Sequence, residues 1–179
     1  MNAEFIPFPQ ESIALGACLL RPLEPTEAEP LGRALAGLDP WRPAGYQADA
    51  IIRYLLRPDP SLQRYAVTAA KELAGVVCAR YPWLHGAYLE LIGILPAFQR
   101  RGLGGAIVQW FETRSFLAGS NAWIVVSASN TPARRFYHRQ GFVEVAALPG
   151  LVQPGDNEIL LRKVKSGSGP DRPPPSESR

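Results

Sequence analysis

Apolar residues repeat with two different periods along the chain, and the changes of period predict alternating strands and helices. Leu31, Leu35 and Leu38 repeat at helical spacing, as do Ile51 and Leu55. Short apolar runs bounded by Gly, Pro or Asn lie between the helical stretches and are typical of strands. The predicted strands are Ala17–Leu23, Arg64–Ala69, Leu73–Tyr81, Ala87–Ile94, Trp123–Ser127, Phe142–Ala147 and Glu158–Val164. The predicted helices are 25–38, 47–57, 103–119 and 131–141, with Thr131 as the N-cap of the last.

The order β-α-α-β-β-β-α-β-α-β-β predicts an α/β (α+β) fold, a mixed sheet flanked by helices. We expect one domain over residues 1–165, with its folded part beginning near residue 12. From Ser166 onward the chain is rich in Ser, Gly, Pro and Arg and has no large apolar residue. Such a segment cannot offset the entropy of ordering itself, so we expect a disordered tail over 166–179.

The bulk composition is that of a soluble globular protein, with 46% hydrophobic and 20% charged residues. No apolar run reaches the roughly 20 residues that a membrane-spanning helix needs. The apolar run Ile13–Leu20 follows Glu4 and Glu11 instead of a basic region, which argues against a signal peptide. Cys18 and Cys78 lie in separate hydrophobic segments and are predicted to be buried thiols. We therefore expect a cytoplasmic protein with no membrane partner.

Positive charge is concentrated in the second half, where residues 91–179 carry 11 Lys and Arg against 6 Asp and Glu. The arginines form small clusters, Arg100–Arg101 and Arg134–Arg135 with Arg139, and are not interleaved with aromatic residues. Clusters of this size suit a few phosphates better than a nucleic-acid duplex. Nucleic-acid binding is thus the weakest of the functions considered.

The stretch that carries chemistry runs from Leu89 to Phe142. A hydrophobic strand passes through Pro96 into Gln99-Arg-Arg-Gly-Leu-Gly-Gly105, which opens a helix. A turn rich in Gly and Arg at a helix N-terminus favours an anion, because unpaired N–H groups and the helix dipole both point there. No Lys-Ser/Thr pair follows, as a P-loop requires, and Ile107 stands where a dinucleotide fold has its third glycine.

This segment resembles the pyrophosphate signature of the GNAT N-acetyltransferase superfamily, Gln/Arg-x-x-Gly-x-Gly/Ala, at Gln99, Gly102 and Gly104. The preceding Ile94-Leu-Pro96 is similar to the family's exit from its fourth strand. A second family signature, Asn followed by Ala-x-x-Phe-Tyr and then Gly-Phe, is matched at Asn130, Ala133-Arg-Arg-Phe-Tyr137 and Gly141-Phe142. The two motifs occur in order, separated by one helix and one strand.

The resemblance implies a mostly antiparallel sheet of six to seven strands, splayed between the fourth and fifth, with acetyl-CoA in the gap. It implies backbone pairing of the pantetheine arm with the fourth strand, and pyrophosphate binding by N–H groups of 99–104. Gly93 suits either a bulge or a close-packed strand, and Arg100 and Arg101 are either phosphate ligands or solvated surface residues. The implied cofactor-binding residues are Ile92, Gly93, Ile94, Gln99, Arg100, Arg101, Gly102, Leu103, Gly104, Gly105, Asn130, Ala133, Phe136 and Tyr137.

The resemblance also implies that Tyr137 is the acid that protonates the leaving thiolate. A free tyrosine titrates near 10, close to a thiol of roughly 8.5, although Tyr137 could instead only pack in the core. The base is less defined. Glu90 is the acidic residue of the predicted fourth strand, and it is either the base, a group that anchors the acceptor, or a residue that only lines the sheet edge. Relatives place a glutamate where this chain has Tyr88 or Val125.

The implied reaction is direct transfer of acetyl from acetyl-CoA to a primary amine, on a small molecule or a peptide, in a ternary complex. The acceptor site is expected around Asp39, Trp41, Tyr46 and Asp49, the hairpin at Trp83 and His85, and the loop 148–157. The alternative is a non-catalytic acyl-CoA sensor or scaffold of the same fold. A homodimer is plausible, and neither His85 nor His138 has a cysteine pair nearby, so no metal is expected.

Overall fold

The structure, a computed structural model, describes residues 7–167. Within that range a single eight-stranded sheet carries two helices on each face. The strands are β1 (Ile13–Ala14), β2 (Leu19–Pro22), β3 (Leu62–Ala69), β4 (Glu72–Trp83), β5 (Gly86–Ile94), β6 (Asn121–Ser127), β7 (Val143–Pro149) and β8 (Asn157–Val164). The helices are α1 (Ala28–Ala36), α2 (Ala48–Leu56), α3 (Leu103–Ala118) and α4 (Thr131–Arg139), with single 3-10 turns at Pro25–Glu27 and Pro96–Phe98.

The sheet order is β1-β2-β3-β4-β5-β6-β8-β7, and every neighbouring pair is antiparallel except β5 and β6. The predicted fold class, a mixed and mostly antiparallel sheet flanked by helices, is confirmed. The count is eight strands instead of six to seven, because Ile13–Ala14 pairs with Leu19–Leu20. A two-residue strand has too short a pattern to be recognised in a sequence.

Alternating residues of β4 form the floor of two hydrophobic cores. Val77 and Ala79 face the core that α3 and α4 cover, whereas Val76 and Cys78 face the core under α1 and α2. Because successive side chains of a strand point to opposite faces, a continuous apolar run is buried on both sides. None of the helices in the described part of the chain is long and apolar enough to cross a membrane.

The parallel pairing of β5 with β6 stops halfway along both strands. It runs from Gly86 opposite Asn121 to Leu89 opposite Ile124, and the two strands then separate. A bulge in β5 marks this point, because Ala79 pairs with Leu89 and Cys78 with Leu91, which leaves Glu90 as the extra residue. The predicted splay between these two strands is thus confirmed.

Gly93 is not the bulge. It pairs with Val76 in register, and a Cβ at this position would overlap Leu35 of α1 and lie 3.2 Å from Cη2 of Trp41. The glycine therefore permits α1 and the loop after it to pack directly on the strand, which is the second of the two interpretations that its sequence allowed.

The predicted tail over 166–179 lies outside the described residues, apart from its first two positions. The prediction of one domain over 1–165 stays a prediction.

Candidate active site

A cavity of about 410 Å³ lies where β5 and β6 separate. Its walls are Tyr88–Ile92 of β5, Val125–Ser127 of β6, the start of α4 and, nearer the end of that helix, Tyr137. Two loops cover it, one after α1 and one between β7 and β8. The Gln153 side chain of the second loop donates a hydrogen bond to the Ala44 carbonyl of the first, so the two loops are joined beside the cavity.

The turn before α3 presents unused N–H donors beside this gap. Gly102 is the N-cap residue in the left-handed conformation (φ 81°), and Arg100 is also left-handed (φ 60°). The first N–H of this region to find an acceptor is that of Ala106, which bonds the Gly102 carbonyl at 3.1 Å. Within the described residues, the N–H groups of residues 100–105 therefore have no protein acceptor, and the positive end of the α3 dipole adds to them.

The predicted anion-binding residues of this turn divide into two groups. Gln99 braces the turn: its Nε2 donates to the Ile94 carbonyl at 2.8 Å and its own N–H to Pro96 at 3.3 Å. The Arg101 guanidinium stacks 5.3 Å from the centre of the Phe98 ring, and both Arg100 and Arg101 are exposed. Gln99 therefore shapes the site through its side chain, whereas the arginines are free to meet an incoming anion.

The glycines that follow face the helix α4 region at ordinary van der Waals distances. A Cβ on Gly104 would lie 3.6 Å from Cζ of Phe136, and one on Gly105 would lie 3.8 Å from Nε2 of Gln140. Leu103 is buried in the core, and Phe136 packs against the same core. The turn thus offers a ligand the main-chain groups of Leu103, Gly104 and Gly105. Phe136 packs against the turn at Gly104.

Asn130 is the N-cap of α4, in place of the predicted Thr131. Its Oδ1 accepts the N–H of Ala133 at 3.2 Å, and its own N–H donates to the Ser127 carbonyl at 2.9 Å. Both Asn130 and Ala133 line the cavity. The capping bond leaves the Asn130 Nδ2 amide as the group that can reach a ligand.

The Tyr137 side chain is buried, and its hydroxyl makes no hydrogen bond within residues 7–167. The ring lies edge-on to Phe136 at 5.1 Å and to Phe142 at 6.1 Å. Burial raises the pKa of Tyr137, which keeps the phenol protonated at neutral pH. A neutral hydroxyl without a protein partner, in the wall of a cavity, is available to donate to a ligand.

Glu90 also lines the cavity, but its carboxylate is occupied. Both oxygens accept from Arg80, one of them at 3.1 Å from Nη2, and Nη1 of the same arginine bonds Asp59 at 2.9 Å. These ion-paired side chains of Arg80 and Glu90 are only 20% and 19% exposed. This bidentate pair fixes the Glu90 side chain and makes it unavailable for proton transfer unless the pair breaks.

Glu158, which the sequence did not single out, lines the cavity as well. It is 8% exposed and has no hydrogen-bonding or ion-pairing partner in the described part of the chain. Burial, with a smaller contribution from Asp156, raises the pKa of Glu158. The one available signal was its position, an acidic residue directly before the apolar run of the last strand.

Only some of the residues predicted for the acceptor site line the cavity. Trp41, Tyr46, Val152 and Asp156 line the cavity, whereas Asp39 and Asp49 do not. The hairpin at Trp83 and His85 does not line the cavity, although Trp83 packs 4.9 Å from the ring of Tyr88, which does. Its part in the acceptor site stays a prediction.

The charged residues that line the cavity are all acidic: Glu90, Asp156 and Glu158. The cavity thus favours a cation, while the turn before α3 favours an anion. No group of three His, Cys, Asp or Glu side chains among residues 7–167 is arranged to hold a metal.

A sheet splayed between two parallel strands, with an N–H-lined helix start on one side and an open cavity on the other, defines the class as the GNAT-type acetyltransferases. Residues 26–142 match the acetyltransferase (GNAT) family, and the chain belongs to that family. The predicted family and the predicted activity class, an N-acetyltransferase, are confirmed.

The chain is 28% identical over 109 residues to an uncharacterized N-acetyltransferase of Methanocaldococcus jannaschii, a match covering 59% of this chain and 69% of the relative. Among solved structures, a mutant spermidine N-acetyltransferase of Vibrio cholerae superimposes with a TM-score of 0.63 and 20% identity, over 83% of this chain and 94% of that one. An acetyltransferase of Salmonella typhimurium that modifies the N-terminal serine of ribosomal protein L7/L12 gives a TM-score of 0.71 and 14% identity, over 87% and 99%. At these identities the two structures show the shared fold alone.

Proposed function

We propose that this enzyme transfers the acetyl group of acetyl-CoA directly to a primary amine while both substrates are bound. The observation that carries the proposal is the position of the Tyr137 hydroxyl, which lines an acidic cavity at the point where β5 and β6 part. An amine arrives mostly as an ammonium cation, and the cavity's charged groups are carboxylates, so the two are electrostatically matched.

The residues present fit acetyl-CoA. Beyond Leu89 the β5 edge that faces β6 has no strand partner in the described residues, which leaves main-chain groups near Ile92 for an amide-rich arm. The N–H groups of 100–105 and the exposed Arg100 and Arg101 suit a pyrophosphate. The space beside Gly102 is open, because a Cβ there would meet no atom within 4 Å. Acetyl-CoA would supply the acetyl group as a thioester.

The chain's own groups have defined tasks in this proposal. Tyr137 donates a proton to the thiolate as it leaves, and the Asn130 amide holds the CoA arm. The raised pKa of Tyr137 keeps the proton on the phenol until the C–S bond breaks, and the phenolate that is left is basic enough to take up a proton from the acceptor nitrogen. Spermidine and an N-terminal serine, the acceptors named for two proteins of this fold, are both amines and support the acceptor class.

Initial-velocity kinetics test direct transfer. Varying acetyl-CoA at several fixed amine concentrations should give intersecting reciprocal plots, and mass spectrometry after incubation with acetyl-CoA alone should show no acetylated enzyme. Parallel plots with an acetyl-enzyme would contradict transfer within a ternary complex. Saturable acetyl-CoA binding without turnover on any amine would favour the sensor, for which the occupied Glu90 carboxylate is the supporting observation.

The homodimer and the cytoplasmic location stay predictions. The edge strand β7 is exposed along most of its length, with Val143 57% and Val145 46% exposed, which supports pairing between copies. Light scattering after size exclusion would show a mass twice that of the 19.6 kDa chain if the copies pair.

A further inference from the structure

Glu158 is a buried acidic residue that the signatures of the family do not cover. It is near the start of β8 and lies directly opposite Ser127 of β6, close to the end of the splayed strand. Directly opposed residues of an antiparallel pair project to the same face, so Glu158 and Ser127 share one wall of the cavity. Its side chain is thereby held by a strand, whereas Asp156 belongs to an exposed loop.

We propose that Glu158 is the general base that takes a proton from the acceptor ammonium. This inference rests on the proposed function and assigns the role that the sequence alone tied to Glu90. The geometry that carries it is a carboxylate of the cavity wall, nine-tenths buried, with no protein partner among the described residues.

Glu90 is poorly suited to the same task. A base must release its proton again, and it must have a free lone pair directed at the substrate. Both oxygens of Glu90 are already bonded to Arg80. Glu158 has both oxygens available.

The groups facing Glu158 favour proton uptake. The titratable residues that share its cavity are Tyr46 from the loop after α1, Tyr88 and Glu90 from β5, Tyr137 from α4 and Asp156 from its own loop. None is a cation. Burial first, and the charge of Asp156 second, raise the pKa of Glu158. Burial is also the main cause of the raised pKa values of Tyr46 and Tyr88, with smaller contributions from nearby carboxylates that include Glu158. A raised pKa makes the ionised carboxylate a stronger base.

The protons balance with Glu158 and Tyr137 in separate roles. Going from ammonium to amide, the nitrogen loses two protons while a C–N bond forms and the C–S bond of the thioester breaks. Glu158 takes one proton, directly or through a water, and releases it to solvent at the end of the cycle. The other replaces the proton that Tyr137 gives to the sulfur, which regenerates the phenol.

An ionised carboxylate buried without a partner should destabilise the fold. Because the folded-state pKa is raised above the unfolded value, the stabilising contribution of Glu158 is present below the unfolded pKa of about 4.3. That contribution is lost as pH rises through the folded pKa, so at neutral pH the charge opposes folding. Glutamine has nearly the same shape as glutamate and no charge, so Glu158→Gln removes the charge and keeps the packing.

The experiment compares Glu158→Gln with Glu90→Gln and with Glu72→Gln, a control at an exposed position outside the cavity. We expect Glu158→Gln to lower kcat about 100-fold or more, within the range for loss of a general base. We also expect it to raise the melting temperature at pH 7 and to remove the acidic limb of the kcat/KM profile. Glu90→Gln should lower the melting temperature, because it leaves Arg80 without a full partner.

The outcomes are distinguishable. A wild-type enzyme that acetylates an amine, with a Glu158→Gln variant that keeps its kcat and its acidic limb, overturns the assignment of the base and leaves the proposed function intact. A fall in melting temperature would mean that Glu158 has a stabilising partner, which also overturns it. A wild-type protein that binds acetyl-CoA and acetylates no amine contradicts the proposed function itself, while the melting experiment still tests the unpartnered charge.

Discussion

Replacing Tyr137 with phenylalanine removes one oxygen atom and leaves the ring. The ring accounts for the packing, through its edge-on contacts with Phe136 at 5.1 Å and Phe142 at 6.1 Å. The hydroxyl makes no hydrogen bond within the described residues, so no protein group loses a partner. We therefore expect the free energy of unfolding to change by less than about 0.5 kcal/mol.

The catalytic effect should be much larger than the effect on stability. A positioned general acid contributes about 10²- to 10⁴-fold in rate, which corresponds to about 2.7–5.4 kcal/mol of transition-state stabilisation. The burial that raises the pKa of Tyr137 also excludes most solvent, so water is a poor substitute donor. Binding of acetyl-CoA should change little, since the turn before α3 and the free edge of β5 are untouched.

Three assays separate these effects. Thiol release measures kcat, calorimetric titration measures the affinity for acetyl-CoA, and thermal unfolding measures stability. Loss of kcat with unchanged affinity and melting temperature is the expected result. A kcat within about threefold of wild type would refute the role of Tyr137 as the acid, and equal losses in all three assays would show that the residue is structural.

Three further changes test other parts of the structure. Gly75→Ala should destabilise the fold by about 2 kcal/mol or more in chemical denaturation, because its Cβ would overlap the Gly93 carbonyl. The control Gly37→Ala should be neutral, and equal effects of the two changes would show that Gly75 and Gly93 are not in close contact. Gly104→Val should weaken acetyl-CoA binding at least about tenfold in calorimetry, because a Cβ there lies 3.6 Å from Cζ of Phe136 and the added methyl groups would displace the turn that presents the free N–H groups; unchanged affinity would contradict this placement of the pyrophosphate. Hydrogen bonds from a serine and an arginine hold the pKa of Asp59 well below its usual range, so its stabilising contribution is present above the unfolded pKa of about 3.9 and lost as pH falls. Asp59→Asn should therefore reduce stability at pH 7 and flatten its decline on acidification, and a parallel decline in both proteins would contradict this.

The elements with a clear apolar period were predictable from the sequence, and so was their order. The turn from Gln99 to Gly105 could be recognised as an anion site because its chemistry depends on main-chain groups of consecutive residues. The same locality explains why the motif that runs from Asn130 to Tyr137 could be recognised in the sequence. A property that depends only on consecutive residues can be predicted from the sequence of that segment.

Contacts between distant segments were not readable in this way. A side chain at Gly93 would overlap Leu35, which is more than fifty positions away in the sequence. The bulge at Glu90 is defined only by the register of β5 with β4. The pairing of Glu90 with Arg80 depends on the same register. Side-chain availability is set by partners that are close in space and not in sequence.

The packing of Trp83 at 4.9 Å from the Tyr88 ring, without Trp83 itself lining the cavity, depends on the register of β4 with β5 and could not be predicted from the sequence. Glu158 could be located only when β8 was seen to pair with the splayed strand β6.

Acetyl transfer to an ammonium-bearing acceptor in the acidic cavity can be measured as thiol release from acetyl-CoA. The acceptors to compare are polyamines, peptide N-termini and lysine side chains, aminoglycosides, and hydroxyl analogues that lack the amine. We expect turnover with at least one amine class and none with its hydroxyl analogue. Turnover that is equal with the amine and its analogue, or absent with every amine despite saturable acetyl-CoA binding, would contradict it.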